Sequence, residues 1–206
     1  MTIDDMRAAL GLGPEVSDVD VTEAYAAYLA TQVPMSPGEE PVTLAEARTQ
    51  LQMLESDPTD QDDLIKALIG AARETVEGLT GLILTRQQIV QHADSFDRLR
   101  LYAWPVASID AVIYRDGSDA ELVLESSLYR ADLSERPVRL RGVSTLPVGR
   151  EITVLMTAGY TTPADVPLSL KQAILVMVSA LFNDRESGDV PGAVMALCRP
   201  FMRYTV

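Results

Sequence analysis

Apolar residues change their spacing twice along this chain, and these changes constrain the fold more than any other feature. From Ile83 to about residue 160 they alternate with polar residues, whereas on either side they recur every three or four positions. Alternation is the period of a strand with one buried face, and the three-to-four spacing is that of a helix. The sequence therefore predicts an α+β fold in which a small antiparallel sheet, at about residues 83–160, is inserted into a helical core.

The alternating stretch divides into seven candidate strands separated by turn residues. They cover residues 85–92, 97–103, 109–115, 121–124, 128–132, 138–141 and 152–158. Asp116-Gly117, between two of them, is typical of a tight hairpin turn. Arginine alternates with apolar residues at 98–102 and at 138–141, which predicts strands with one face in water.

Three helices are predicted around the sheet. The first, at 43–54, begins with a capping box in which Thr43 and Glu46 satisfy each other's backbone N–H groups. The second, at 60–80, is capped by Thr59 and ends at Gly81, which suits the left-handed conformation. The third, at 168–182, follows Pro167, which we place at its first position because proline lacks an N–H.

The amino-terminal residues predict two shorter helices and then a linker. A capping box beginning at Thr2 starts the first, which ends near Leu10, and Asp20 or Thr22 caps a second at 21–29. Three prolines and a glycine at 34–41 indicate a boundary. We therefore divide the chain into a helical extension and linker (1–40), a core (41–186) and a carboxyl-terminal tail (187–206).

Charge is spread unevenly over the 206 residues, whose formal net charge is −13. Residues 1–63 carry 14 acids against Arg7 and Arg48, so they hold almost all of the excess. Binding to DNA comes mostly from Lys and Arg neutralising phosphates, so this half argues against DNA as a tightly held ligand. The acids solvate exposed helices in one interpretation, and form a surface that repels DNA in another.

Location is indicated by three further observations. No run of about 18 apolar residues occurs, so we expect no membrane span. The acidic amino terminus lacks the apolar segment of a signal peptide, so we expect no export. A single cysteine, Cys198, forms no internal disulfide, which fits a reducing compartment and an apolar rather than a reactive role.

A search for chemistry predicts no catalytic residue, no metal and no cofactor. The one histidine, His92, ends a predicted strand, and one Cys with one His does not make a zinc site. No nucleophile elbow or phosphate-binding loop is present. Helix capping accounts for Asp57, Asp60, Asp62 and Asp63 better than a cation site does. The pairs Asp132/Glu135 and Asp184/Glu186 are interpreted as solvated loop residues, and Trp104 as a buried corner.

The final 20 residues lack a pattern that would fold in isolation, although they are apolar, aromatic and basic. They end in Leu197-Cys-Arg-Pro-Phe-Met-Arg-Tyr204, and the last 17 carry two arginines and no acid. Such a segment is typical of one that binds a groove on another protein. We therefore expect an extended tail whose contacts are made by Leu197, Arg199, Pro200, Phe201, Arg203 and Tyr204.

The order of several short motifs resembles a known family. The motifs are Thr43-Leu-Ala-Glu-Ala, Asp62-Asp-Leu-Ile-Lys-Ala-Leu-Ile-Gly-Ala-Ala-Arg-Glu74, Leu79-Thr-Gly81, Ser127-Leu-Tyr129, Ala158-Gly-Tyr160, Val166-Pro167, Lys171-Gln-Ala-Ile-Leu175 and Asn183-Asp-Arg-Glu186. Over residues 42–204 the chain is similar to the head–tail connector, or adaptor, proteins of tailed bacteriophages and of phage-derived gene transfer agents. Residues 1–40 lie outside this resemblance.

The resemblance implies a structural virion protein made in the cytoplasm of a bacterial host. Such proteins form a ring, commonly of twelve copies, beneath the portal protein; they support a stopper or other neck or tail protein, while double-stranded DNA passes through without specific binding. It also implies that the carboxyl-terminal segment binds the portal. Because aromatic and arginine side chains dominate interface energetics, we expect Phe201 and Tyr204 to fill apolar pockets, and Arg199 and Arg203 to pair with carboxylates. Family members often have Pro-Tyr-Arg near this end, and Pro200-Phe-Met-Arg203 departs from that pattern.

The sequence leaves three alternative functions open. One is a stopper or tail-completion protein of the same neck. A second is a DNA-packaging factor with a helix-turn-helix in residues 1–30, although its second helix carries only Glu23 as a charged residue. A third is a hydrolase, for which the usual nucleophile and base combinations are missing.

Overall fold

The structure is a computed structural model that describes residues 2–31, 38–54, 58–97, 99–184 and 189–202. These residues form six α-helices and seven strands. In chain order they are α1 (Ile3–Leu10), α2 (Asp18–Thr31), α3 (Leu44–Gln50), α4 (Asp62–Thr80), β1 (Gln87–Ala93), β2 (Arg100–Leu101), β3 (Val106–Arg115), β4 (Glu121–Val123), β5 (Tyr129–Ala131), β6 (Val138–Gly142), β7 (Arg150–Ala158), α5 (Leu168–Asn183) and α6 (Gly192–Cys198). The predicted α+β class, with its antiparallel insertion between helices, is confirmed.

The chain separates into two compact units, and it crosses between them three times. The sheet unit contains residues 1–36 and 87–158, and the helical unit contains residues 37–86 and 159–206. The sheet unit therefore joins the amino-terminal helices to the β insertion, and α3 to α6 belong to the helical unit.

Two antiparallel sheets make up the β part of the sheet unit. The first has four strands in the order β1-β7-β3-β4, and the second has three in the order β2-β6-β5. Apolar side chains from both sheets form one core, which includes Val112 of β3, Leu140 of β6 and Val154 of β7. The two sheets therefore pack face to face.

The other face of the four-stranded sheet is covered by α1 and α2. Met6, Val21 and Tyr25 of these helices form a second core with Val123 of β4 and the partly buried Ile113 of β3. Ile113 follows Val112 directly, and successive strand residues point to opposite faces. The sheet unit is therefore a sandwich of three layers: the helix pair, the four-stranded sheet and the three-stranded sheet.

Packing in the helical unit follows the predicted helical stripes. On α4 the buried apolar residues recur every three or four positions, at Ile65, Ile69, Ala72 and Val76. On α5 they are Leu170, Ala173, Ile174, Met177 and Val178. The two helices pack against each other, and α3 and α6 both contact this pair.

A partly buried ion-pair cluster links α4 to the chain before and after it. Arg73 donates through Nε to Glu40 Oε2 (3.0 Å) and through Nη1 to Glu77 Oε2 (2.7 Å). The other oxygen of Glu77 accepts the N–H of Leu84 at 2.6 Å. Burial raises the pKa of Glu77, and its hydrogen bonds and the charge of Arg73 only partly offset that effect. Sequence reasoning missed this cluster because Glu40 lies 33 positions from Arg73.

Several predicted helix ends are confirmed, and others differ; among these, α3 ends at Gln50 instead of 54 and α2 continues to Thr31 instead of 29. Both capping boxes form, at Thr2 with Asp5 and at Thr43 with Glu46, and Gly81 is left-handed. The α2 helix begins earlier than predicted because the hydroxyl of Ser17 accepts the N–H of Asp20. The predicted cap of α4 is wrong, since Gln61 stands at that position without a side-chain hydrogen bond. Pro167 also differs from the prediction, because it precedes the first turn of α5 instead of starting it.

All seven predicted strands are present with shifted ends. The largest difference is at β2, predicted over 97–103 and observed only at Arg100–Leu101. The N–H of Tyr102 bonds the side chain of Gln91 (2.9 Å) instead of a neighbouring strand, and Pro105 has no N–H to offer. The Asp116-Gly117 turn is a longer loop in which Asp116 accepts from Ser118 and Ala120.

Among the helices that the structure describes, none combines the length and the apolar composition that spanning a bilayer would require.

Candidate functional site

The described part of the carboxyl-terminal segment is folded, which corrects the prediction of an extended tail. Residues Gly192–Cys198 form α6, and a 3-10 turn over Arg199–Phe201 follows directly. Pro191 precedes the helix, and its carbonyl accepts the N–H of Val194 at 2.9 Å. The segment therefore enters its first turn with a proline that fixes φ beforehand.

One side of α6 is buried in the chain's own helical unit. Val194 and Cys198, four residues apart, are both completely inaccessible to solvent, and α6 contacts α4 and α5. Burial in apolar surroundings raises the pKa of the Cys198 thiol, so it is held as a neutral, unreactive group. This four-residue spacing was the available signal for a helix here, because residues four apart lie on one side of a helix.

The opposite side of α6 faces away from that packing. Met195 is 41% exposed, and Ala196 is exposed beside it. Of the predicted contact residues, Arg199 and Pro200 are exposed, while Leu197 and Phe201 are half-buried. Arg203 and Tyr204 lie outside the described residues. The turn at 199–201 therefore brings Arg199 and Pro200 together at the end of the helix.

The other residues considered as candidates for catalysis or metal binding make ordinary hydrogen bonds and ion pairs within the protein. His92 is exposed, and its Nδ1 lies 3.1 Å from Thr153 Oγ1. Asp62 forms an ion pair with Arg48, while Asp57 lies outside the described residues. Asp132 accepts from the backbone and hydroxyl of Ser134, and these hydrogen bonds lower its pKa. In the described part of the chain, no cluster of His, Cys, Asp or Glu suits a metal ion.

Sequence reasoning also missed a surface that only the sheet pairing creates. Arg100 of β2, Arg139 and Arg141 of β6, and Arg130 of β5 lie on one face of the three-stranded sheet. We call these four residues the arginine face. Charge alternation along single strands predicted an exposed side for each, but it gave no register between them.

Comparison with known proteins gives matches only among solved structures. No protein-family model matches the chain, and no curated protein does. A chain in the virion of a native gene transfer agent particle is similar with a TM-score of 0.68 and 23% identity, over 81% of this chain and 91% of that one. The fold is that of chains in a gene transfer agent particle.

Two further matches come from the neck of such a particle. A chain in the neck of the empty particle, computed with C6 symmetry, gives a TM-score of 0.64 at 21% identity. A chain in the neck of the native particle, computed with C12 symmetry, gives 0.61 at 20% identity. Each of the two matches covers 85% of this chain and 97% of the neck chain. The shared fold thus extends over nearly all of those chains.

Proposed function

We propose that this protein is a structural component of a virion neck, the adaptor between the portal and the tail of a phage-like particle. The observation that carries the proposal is the fold, which matches neck chains of a gene transfer agent over 97% of their length. The resemblance of the sequence motifs to head–tail connectors supports the same role. The protein would be made in the bacterial cytoplasm and act in the assembled particle without catalysing a reaction.

In this role the protein forms a ring of identical copies. The neck structures with similar chains were computed with sixfold and twelvefold symmetry, and connector rings commonly have twelve copies. Double-stranded DNA passes through the ring without specific binding, and a stopper or another neck protein docks on the far side. Residues 41–186 are the connector core, 1–40 an extension of it and 187–206 the segment that docks.

In the docking segment, residues 187–206, the side chains that point away from the protein's own helical unit are the ones available to contact the portal. Val194 and Cys198 hold α6 on the protein's own helical unit, so the surface left for a partner comprises the exposed side of α6, the turn at 199–201 and the residues after it. Arginine and aromatic side chains dominate the energetics of protein interfaces, which favours Arg199, Phe201, Arg203 and Tyr204 as contacts. Many copies in one ring multiply a modest affinity per copy.

Binding to the purified portal protein tests this assignment. Arg199→Glu, and separately deletion of residues 203–206, should weaken binding about tenfold or more per copy. Arg86→Glu is the matched control, because Arg86 is an exposed arginine of the same unit that makes no ion pair with the described residues. Full binding by both docking variants would refute this use of the segment.

The wider role is tested in particles. Cells producing particles without this protein should release heads that lack tails, as seen by electron microscopy, and the intact gene should restore them. Tailed particles in its absence would refute the neck assignment. A protein that captures a tail-terminator protein and leaves the portal unbound would instead be the stopper or tail-completion protein.

A further inference from the structure

The arginine face brings like charges directly opposite one another. Arg100 pairs with Arg139 across β2 and β6, and Arg130 pairs with Arg141 across β5 and β6. Side chains on one face of such a pair lie about 5 Å apart at Cβ, and like charges there destabilise the sheet. The sheet therefore carries a local energetic cost that a purely structural surface has no need of.

Few acidic groups among the described residues offset this charge. All four side chains are exposed, and Arg141 approaches a carboxylate, Glu135 Oε1, at 3.6 Å. Arg100, Arg130 and Arg139 form no ion pair with any residue that the structure describes. Two adjoining grooves of about 480 and 410 Å³ share Arg139 and Arg141 in their walls. Among the described residues, the face is thus a basic surface whose compensating carboxylates, Asp132 and Glu135, lie beside only one of the two grooves.

The opposite outer surface of the same unit is acidic. Because the sheet unit has three layers, the arginine face and the helix pair α1–α2 are its two outer sides. Residues 2–31 contain a single base, Arg7, and six acids, all of which are exposed: Asp4, Asp5, Glu15, Asp18, Asp20 and Glu23. We call this surface the acidic helix pair. One unit therefore carries opposite charges on opposite sides.

We propose that the arginine face of one copy binds the acidic helix pair of the next copy in the ring. The inference rests on the proposed function for the ring, and it gives residues 1–31 a role that the adaptor assignment leaves open. A contact between two different surfaces of identical chains is head-to-tail, and repetition of it closes a ring when the rotation permits. Complementary charge fixes the direction and register of such a contact.

An acidic chain fits the arginine face better than DNA does. The second groove is also lined by Asp132 and Glu135, two carboxylates that would repel phosphates. A folded protein surface can place its acids against the arginines and uncharged residues against these two carboxylates, whereas the phosphates of a duplex repeat along its whole length. The partner with the required charge is present in every copy of the chain.

The first experiment separates this role from a structural one. The double variant Arg130→Glu/Arg139→Glu places a glutamate opposite an arginine in both cross-strand pairs. We expect a higher melting temperature than wild type together with loss of rings, measured by sedimentation velocity at low salt and by copies per purified particle. Arg86→Glu is the control for an arginine reversal away from the face. Rings at wild-type abundance in the double variant would overturn the proposal.

The second experiment tests which surface is the partner. One variant carries glutamate at all four positions of the arginine face, and another carries arginine at Asp4, Glu15 and Glu23, which make no hydrogen bond or ion pair with the described residues. Neither should form rings alone, and an equimolar mixture should restore them with alternating copies. A mixture that stays unassembled overturns the proposed pairing.

Two further results would distinguish DNA binding by the arginine face, and failure of the neck assignment, from failure of the proposed contact. If the arginine-face variant assembles normally but loses binding to a short DNA duplex in a gel-shift, the face binds nucleic acid and the proposal is wrong. If wild-type protein is absent from purified particles, the neck assignment itself fails, whatever the variants do.

Discussion

Val194 and Cys198 lie one turn apart on α6, and both are completely buried against the helices of their own unit. The segment proposed to bind another protein is therefore attached to its own helical unit through α6. Only the side of α6 opposite Val194 and Cys198 remains exposed to a partner. Truncations of this end need to spare this attachment, because removing residues from 195 onward would also remove Cys198.

The burial of Val194 predicts that truncating this side chain destabilises the protein. Val194→Ala removes two buried methyl groups and should lower the free energy of unfolding by about 2 kcal/mol. Val148→Ala is the same change at a side chain that is 95% exposed, and it should alter stability by less than about 0.5 kcal/mol. Chemical denaturation of both variants measures the difference. Equal stabilities would contradict the observed packing of α6.

The helix pair α1–α2 is predicted to stabilise the sheet that it covers. Met6 is completely buried, so Met6→Ala should cost about 3 kcal/mol by leaving a cavity above Val123. Met195→Ala, at a position 41% exposed, should cost about 1 kcal/mol or less. Thermal unfolding followed by circular dichroism compares them. A small effect at Met6 would mean that the helix pair is not an integral part of the unit.

A glycine at the crossing between the units is predicted to resist substitution. Gly159 has φ +107°, and a Cβ there would lie 2.1 Å from the carbonyl oxygen of Thr85. Gly159→Ala should therefore destabilise the protein by about 2 kcal/mol or more. Gly78→Ala in α4 has open space around it and should stabilise by about 0.5–1 kcal/mol. Denaturant midpoints of the two variants should move in opposite directions.

The ionisation of Glu77 should make the free energy of unfolding depend on pH. Its pKa is raised by burial, so the folded state holds the proton more tightly than the unfolded state. The free energy of unfolding of wild type, relative to Glu77→Gln, should therefore fall as pH rises from the ordinary value of 4.5 and then level off.

Glu46 provides the control of opposite sign for that experiment. The N–H of Thr43 lowers the pKa of Glu46 by hydrogen bonding to its ionised form. The advantage of wild type over Glu46→Gln should therefore be lost as pH falls through the lowered value. Urea denaturation across this pH range measures both differences, and the same slope for the two variants would refute the assignment.

Local patterns were sufficient to predict helices α1 to α5 and the seven strands, although not all of their ends. Capping at Thr43, the left-handed Gly81 and the change from helical to alternating spacing at Ile83 all depend on neighbours within a few residues. Such signals persist because they are satisfied locally, whatever the tertiary structure around them.

Features that depend on pairing between distant segments could not be predicted in the same way. Arg130 and Arg141 lie opposite each other only through the register of β5 and β6. The ion pair of Arg73 with Glu40 and the packing of α2 on β4 also require the tertiary fold. The sequence analysis missed α6 although Val194 and Cys198 have helical spacing. A short helix also needs a surface to pack on, and the surface that α4 and α5 provide is not visible in the sequence.

The order in which the two units occupy the chain has a consequence during synthesis. All parts of the sheet unit have been translated once residue 158 is made, whereas α4 of the helical unit contacts α5, which begins only at Leu168. Domains fold as units while the chain is being made, and a helix without its packing partner is marginal. The nascent sheet unit can thus be complete on the ribosome while α4 still exposes its apolar stripe, and α5 and α6 close the helical unit only when they emerge later, together with the turn at 199–201.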